Sequence, residues 1–502
     1  MASDTPRAPT LLASASWLMG AKTIGFILTI TLPLVLARRL NLAEFGNYKQ
    51  LFLVLTSAAT LLPVGMQMSA FYFFPRAHSV EERSRVACCI LTFYLMVTGA
   101  ASLCLLLAPQ LLTRMLGNHS LGGIGRIIGF TIIFYVTSNV FESVVVANGE
   151  SQLGAAVIVG SNLIRTCVIL VTTVVWGNIQ AIAWGVFVYS IVQFGLLLTY
   201  MRSRFPGFWR LCQAKRFRDQ LSYTIPLGAA GLLWSLQLDL HNYFVANQFG
   251  PVAFAIYSQG VFQLPLIGIL ADSVLSVLIP RVSALQQQDA RQEIVDLIAK
   301  VMRGLALAYL PICMFFSVMA KEVILLLFTP KFLPSVPIFQ VNLLMLPLSV
   351  LMVDPVMRSY KEQRFWMFNL NLIMLCALML TLKLGIASFG MIGTISCVVG
   401  TQYLSRFILA FHVARFLGLQ WHDLWKLLDI AKIAAATGGS GLVIWLIRRE
   451  TTSLQPLIVL LIAAGSFTAC YSTLLLIFRV PNQNELGILR RKTLGVLSHL
   501  RI

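Results

Sequence analysis

The sequence predicts an all-α polytopic membrane protein of about 14 transmembrane helices. They are arranged as two pseudo-symmetric six-helix bundles plus two C-terminal helices. Three observations lead there. Of 502 residues, 58% are apolar and only 11% are charged, where soluble domains carry about 25% charged residues; mean hydropathy is +0.81. The apolar residues fall in runs of about 20, enough to cross a hydrocarbon core about 30 Å thick. The runs are continuously apolar rather than alternating, which selects helices over barrel strands. The same figures exclude an ordinary soluble protein, a disordered chain and a secreted disulfide scaffold.

The first run, 14–37, follows MASDTPRAPT. It has no clear small-residue cleavage site after it and is longer than a signal-peptide core, so it reads as a retained first helix. The next runs are 47–70, 86–108, 123–147, 152–175 and 178–200, which complete a first bundle. A polar interruption at 201–222 carries six basic residues and reads as a cytoplasmic linker. The second bundle follows as 223–247, 252–279, 302–320, 335–357, 365–386 and 389–413. Runs at 426–447 and 455–478 add two helices before a basic tail. The expected domains are therefore 1–200, the linker 201–222, 223–415, and 416–502. Between 282 and 301, the mixed sequence VSALQQQDARQEIVDLIAK reads as an amphipathic helix on the inner surface.

Lys and Arg number 38 against 19 Asp and Glu, a formal charge of +19. In a soluble chain that balance suggests nucleic acid, but here the basic residues occupy short loops between apolar runs. They set orientation instead, and no nucleic-acid partner is expected. With the N-terminus inside, inner segments hold 24 basic residues and outer segments nine, so both termini are placed in the cytoplasm. The nine cysteines show no metal-ligand spacing, Cys88 and Cys89 are adjacent, and no CxxC occurs. They read as small packing residues, with no cofactor or metal implied.

An internal repeat is the next signal. ARRLNLAEFGNYKQ at 37–50 aligns with ANQFGPVAFAIYSQ at 246–259, so that Ala37, Phe45, Tyr48 and Gln50 meet Ala246, Phe254, Tyr257 and Gln259. Both second helices of the halves close on Pro-Arg, at Pro75-Arg76 and Pro280-Arg281. Glu142 and Glu150 match Asp354 and Glu362 at one common offset. Parallel repeats of this kind are a transporter architecture, with the substrate path between halves.

On these residues the chain resembles polysaccharide-biosynthesis flippases of the Wzx type, within the superfamily that holds the lipid II flippase MurJ and the MATE drug exporters. The segments that carry the resemblance are ARRLNLAEFGNY and LQLDLHNYFVANQFGPVAFAIYSQG, with LIPRVSAL and KEVILLLFTPKFLPSV in support. The order of helices covers nearly the whole chain; the local motifs cover about a fifth and are loose. The resemblance implies a lipid-linked oligosaccharide on an undecaprenyl-pyrophosphate carrier, moved from the inner to the outer leaflet of a bacterial cytoplasmic membrane. It implies alternating access, ion or proton coupling, contact with membrane lipids, and partnership with polysaccharide polymerase and export machinery.

A charge at a helix centre costs about 2.5–3.5 kcal/mol on insertion scales, so such residues face a cavity or a partner. The cationic candidates for the substrate path are Lys22, Arg165 and Arg406. Arg165 lies near the middle of its span, where a guanidinium can grip a pyrophosphate bidentately or pair with a neighbouring acid. Lys22, about two turns from the cytoplasmic end, is placed to receive the carrier pyrophosphate or to snorkel to the interface. The acidic candidates for coupling or gating are Glu142, Asp239, Asp272 and Asp354. The resemblance places an Asp in the seventh helix, where Asp239 can carry a proton or hold the bundle together. His241 points to a different face and reads as a satisfied polar residue. Glu142 and Asp354, symmetric in the repeat, are expected to pair with basic residues such as Arg358 or Arg76, or else to cap and solvate helix ends. Lys383 and Lys432 sit near helix ends, and Asp429 is spaced to pair with Lys432. Gly20 and Gly25 read as packing sites.

Two other classes compete. A MATE-like exporter of organic cations usually has about 12 helices and acidic residues in its first half; a first helix carrying Lys22 suits an anionic substrate better. A lipid-dependent glycosyltransferase or polymerase needs a sizeable outer loop with clustered acids or Arg, and the longest outer segment is about 15 residues, without DxD or nucleotide loop. No enzymatic chemistry is expected.

Overall fold

The computed structural model describes residues 11–480 except 211–212, 263, 361–362 and 452–453; it leaves out the side chains of 11–15, 210, 227, 230, 265, 266, 269, 272, 364 and 424. The basic tail expected beyond 480, with Arg7, Lys361 and Glu362, lies outside the described residues. Among those described there are helices and turns and no strands. In chain order they are α1 Leu11–Arg39, α2 Leu42–Leu61, α3 Gln67–Phe73, α4 Val80–Leu107, α5 Gln110–Leu116, α6 Gly125–Ser138, α7 Val140–Ala147, α8 Ser151–Val175, α9 Ile179–Arg204, α10 Ala214–Gly260 and α11 Pro265–Gln287. There follow α12 Arg291–Val318, α13 Ala320–Leu327, α14 Val336–Leu343, α15 Met345–Leu348, α16 Asp354–Ser359, α17 Arg364–Leu417, α18 Leu428–Glu450 and α19 Pro456–Ile477.

Among the described residues, ten helical segments are long and apolar enough to cross a membrane. One of them is a double. At 1.5 Å per residue a straight α17 would run about 80 Å, far more than a bilayer core. Gly390 divides it, at φ 57° and ψ −134°, a conformation open to glycine alone. Gly250 divides α10 in the same way, at φ 73° just before Pro251. The expected runs at 47–70, 223–247 and 252–279 fall on α2–α3, α10 and α10–α11, outside the ten.

Three local expectations are corrected. The run 252–279 is not one helix: α10 stops at Gly260 and α11 starts at Pro265, whose missing N–H suits a first helical turn. The run 335–357 is divided into α14, α15 and α16, with prolines at 337, 347 and 355 that each remove a backbone donor. Residues 282–301 are not a separate surface helix. They are the end of α11 and the start of α12, joined by a short turn in which Asp289 has φ 50°.

Side-chain caps set several starts. Asn41 accepts from the Glu44 amide (2.8 Å), Ser79 from Glu82 (3.1 Å) and Asn178 from Ala181 (2.9 Å). Each meets an N–H that the helix leaves orphaned. Glu44 also accepts from the Ile179 amide at 2.8 Å, so the starts of α2 and α9 are tied together.

The chain packs as two compact units, Met1–Ser258 and Gln259–Ile502. In the first, α1 lies along α8, and α6 packs against both α4 and α9. A buried amide cluster joins α2 to the turn after α5. Asn118 Nδ2 donates to Asn47 Oδ1 (2.7 Å) and Gln50 Oε1 (2.5 Å), and Gln50 donates to the Leu116 carbonyl (3.4 Å). In the second unit, α18 packs on α12 and α19 around Ile294, Ile298, Leu305, Tyr309 and Ile433. Arg303 bonds Asp429 (3.2 Å) and the Val480 carbonyl (2.6 Å), and Arg448 bonds Glu322 (2.9 Å) and the Val318 carbonyl (2.8 Å). These two arginines fasten α18 and α19 to α12 and α13.

Replacing Asn118 with Ala takes the Nδ2 donor away from two buried acceptors, Asn47 Oδ1 and Gln50 Oε1. An orphaned buried polar group costs about 1–3 kcal/mol, so Asn118→Ala should lower the unfolding temperature in detergent. Asn118→Asp, which keeps an acceptor but loses the donor, should lower it too.

Candidate functional site

The charged residues singled out above fall into three local arrangements. The first surrounds Arg165, near the middle of α8. Its guanidinium donates from Nη2 to Thr29 Oγ1 on α1 and to Asn162 Oδ1 one turn back, both at 2.9 Å. Both partners are neutral. Thr29 in turn donates to the Gly25 carbonyl (2.8 Å), and Asn162 donates to Ile158 (2.8 Å). The polar belt continues across α8 to α9, where Gln193 donates to Ser161. A Cβ at Gly25 would stand 2.7 Å from Asn162 Nδ2, so glycine is what lets α1 approach α8 here. Gly25 is thus a packing site; nothing lies within 4 Å of the equivalent point on Gly20.

Among the described residues Arg165 has no acidic partner, and its Nε is buried without a hydrogen bond. The distinction matters. A guanidinium matched by a carboxylate presents little net charge, whereas one held by hydroxyl and amide dipoles keeps its full positive charge. This arrangement can attract and orient an anion.

The second arrangement is a pair of inter-helix ion pairs, and it corrects the expected partners of Glu142 and Asp354. Glu142, in the first turn of α7, faces Lys22 of α1 at 3.7 Å, with side chains 44% and 67% exposed. A helix N-terminus favours the carboxylate. Asp354, the first residue of α16, pairs with Arg406 of α17, at only 17% and 19% exposure. Neither acid takes Arg76 or Arg358. Arg76 folds back on its own helix, stacking on Tyr72 at 3.7 Å and donating to the Tyr72 carbonyl (2.7 Å); Arg358 is exposed. Arg406 reaches Asp354 from a separate helix rather than from the next turn of the same one.

The third arrangement is on α10. Asp239 is half-buried and, among the described residues, forms no ion pair. Tyr243 follows one turn later, its hydroxyl donating to the Leu53 carbonyl (3.5 Å). His241 is buried, and its Nδ1 meets the Tyr257 hydroxyl at 2.8 Å, the satisfied role expected of it. Asp272 lies on α11, but its side chain is outside the described residues. Lys383 is exposed on α17, and Lys432 pairs with Asp429 at 3.1 Å, as the three-residue spacing predicts.

Some contacts had no signal in the sequence. Arg303 and Arg448 each anchor helices far along the chain. A cluster at the start of α18 also escaped notice: Lys426 reaches Asp423 (2.9 Å) and Asp296, and Gln292 donates to Asp423 (2.8 Å). Only the Asp423–Lys426 spacing pointed to it. Among the described residues, no group of three or more His, Cys, Asp or Glu could hold a metal ion.

With fold and geometry established, the class is a polytopic membrane protein with a transporter and flippase fold. The structure of the lipid II flippase MurJ in an inward closed conformation is similar at a TM-score of 0.69 and 15% identity, covering 91% of this chain and 99% of that one. An inward-facing multidrug resistance MATE family transporter of the MOP superfamily gives 0.61 at 13% identity, over 78% and 94%. A mutant of the Vibrio cholerae MATE transporter VcmN gives 0.55 at 14%, over 82% and 99%. Among curated proteins none matches the chain by sequence. The chain belongs to the family described as polysaccharide biosynthesis protein, whose model matches residues 35–337, more than half its length.

Removing one partner of a largely buried ion pair leaves the other charge uncompensated and costs up to about 3–5 kcal/mol, the figure for full burial. Arg406→Ala and Asp354→Asn should each lower thermal stability strongly, and the double substitution should cost less than the sum of the two. A double-mutant cycle on unfolding temperature reads this directly; additive losses would mean that the two groups do not interact.

Proposed function

We propose that the protein is a flippase that moves an undecaprenyl-pyrophosphate-linked oligosaccharide from the inner to the outer leaflet of a bacterial cytoplasmic membrane, for surface or exopolysaccharide synthesis. Family membership supports the polysaccharide context and the fold supports transport. The observation that carries the substrate reading is Arg165, a cation at mid-span held by neutral groups and so matched to an anionic pyrophosphate or sugar carboxylate. In this reading Lys22 and Arg406 also line the path. Asp239 carries the coupling proton or ion, Glu142 and Asp354 act as gating acids through their ion pairs, and Asp272 joins the acidic set. The halves 1–200 and 223–415 alternate access, with 201–222 between them and 416–502 added. Both termini lie in the cytoplasm, and polymerase and export machinery receive the product.

A MATE-like exporter of organic cations is the competing reading, favoured by the fold shared with MATE transporters. An uncompensated guanidinium repels a cationic drug, which is why the anionic substrate stands first. Transport of lipid II itself is the third reading, favoured by the likeness to the lipid II flippase structure.

The test is the leaflet position of lipid-linked oligosaccharide in cells lacking the protein, with and without a restored copy. Accumulation on the cytoplasmic leaflet, relieved by the restored copy, is expected. Unimpaired outward delivery would sink the proposal and bring cation efflux forward. At normal expression Arg165→Ala should cut flipping by about tenfold or more, as loss of a charge-assisted contact predicts, while Arg165→Lys retains part of it. Asp239→Asn should flatten any pH dependence of transport in proteoliposomes; an unchanged profile would make Asp239 structural.

A further inference from the structure

The linker side of the first unit carries a cavity that the transport reading does not use. It measures about 450 Å³ and lies where α9 ends, lined by Gly195, Leu198, Thr199, Arg202, Phe208 and Trp209. Its floor is apolar. Gly195 adds no side chain and meets nothing within 4 Å, and Leu198 continues the apolar strip. Phe208 is buried and holds the turn in place, with its ring against Trp209 at 5.2 Å. Trp209 is 56% exposed. The Arg202 guanidinium lies 5.9 Å from the Trp209 ring, within cation–π range.

Depth fixes what this cavity faces. The 26 residues of α9 run about 39 Å, longer than a hydrocarbon core of about 30 Å, so the helix end that carries Thr199 and Arg202 is expected at the headgroup level, with Gly195 about 10 Å further in. Trp is enriched at that level because its ring is apolar and its N–H polar.

Charge selects among ligands. Of the linker bases with described side chains, Arg204 is matched by Glu150 (3.0 Å) and Arg216 by Glu82 (3.1 Å). Arg202, Lys215 and Arg218 are exposed and have no acidic partner among the described residues. One guanidinium without an acidic partner lines the cavity beside Trp209, with two further such cations in the linker that follows.

From this geometry we infer that the cavity is a binding site for an anionic phospholipid of the leaflet that the linker faces. The phosphodiester is held by Arg202, one acyl chain runs along Gly195 and Leu198, and the Trp209 indole covers the glycerol region. The site is separate from Arg165 and needs no assumption about the transported molecule.

The test is native mass spectrometry and thermal shift on the full chain in detergent, titrated with phosphatidylglycerol and, separately, phosphatidylcholine. Phosphatidylglycerol should bind and stabilise the wild type more than phosphatidylcholine does. Arg202→Gln should weaken it about tenfold, the loss of one charge-assisted contact. Trp209→Leu, which keeps every charge, should weaken it as well, and Arg126→Gln, the same charge change far from the cavity, should not. Four results would overturn the assignment: equal binding of the two lipids, equal loss in Arg202→Gln and Arg126→Gln, displacement of the lipid by millimolar inorganic phosphate, or binding of undecaprenyl phosphate in place of phosphatidylglycerol.

Discussion

Inside a bilayer no water is available to meet a backbone N–H or C=O, and an unmet group costs several kcal/mol. That constraint shapes every feature of this molecule. It confines the described chain to helices. It concentrates departures from helix at residues that tolerate them: glycine at 250 and 390, and proline at 265, 337, 347 and 355. It also explains the buried amide cluster of Asn47, Gln50 and Asn118, where one side chain serves two others. The starts of α2 and α9 obey the same rule, with Glu44 meeting an orphan amide of a neighbouring helix.

Charges follow the same accounting with larger stakes. Asp354 with Arg406, Glu322 with Arg448, and Asp429 with Arg303 each match a carboxylate to a guanidinium across helices. Arg165 departs from the pattern. Its partners are a hydroxyl and an amide oxygen, so its position is fixed while its charge is left uncancelled. A guanidinium held mid-span by neutral partners concentrates positive potential at that point.

The helices were legible in the sequence because apolar run length is a direct readout of bilayer thickness. The end of α10 at Gly260 and the restart at Pro265 were not, since the sequence between is as apolar as its neighbours and only Pro265 hints at a restart. Among charges, the pair Asp429–Lys432 was legible because its spacing brings the two onto one helical face. Glu142 and Asp354 were recognised as a related couple, but their partners were not, because Lys22 and Arg406 arrive from helices remote in sequence. Spacing rules reach one turn along a helix; across helices, partners are chosen by packing angles that a single sequence does not display. The partners of Arg303 and Arg448 are hidden for the same reason, since Asp429 and Glu322 lie more than 100 residues away in the chain.

Gly25 shows how far packing can govern chemistry in such a setting. It carries no functional group, yet the closeness of α1 to α8 at this point places Thr29 and Asn162 together around one guanidinium. A single added methyl would meet the Asn162 side chain, which must then shift, without altering any polar residue. A neutral, small-residue position thus has a part in placing the polar groups that hold the arginine.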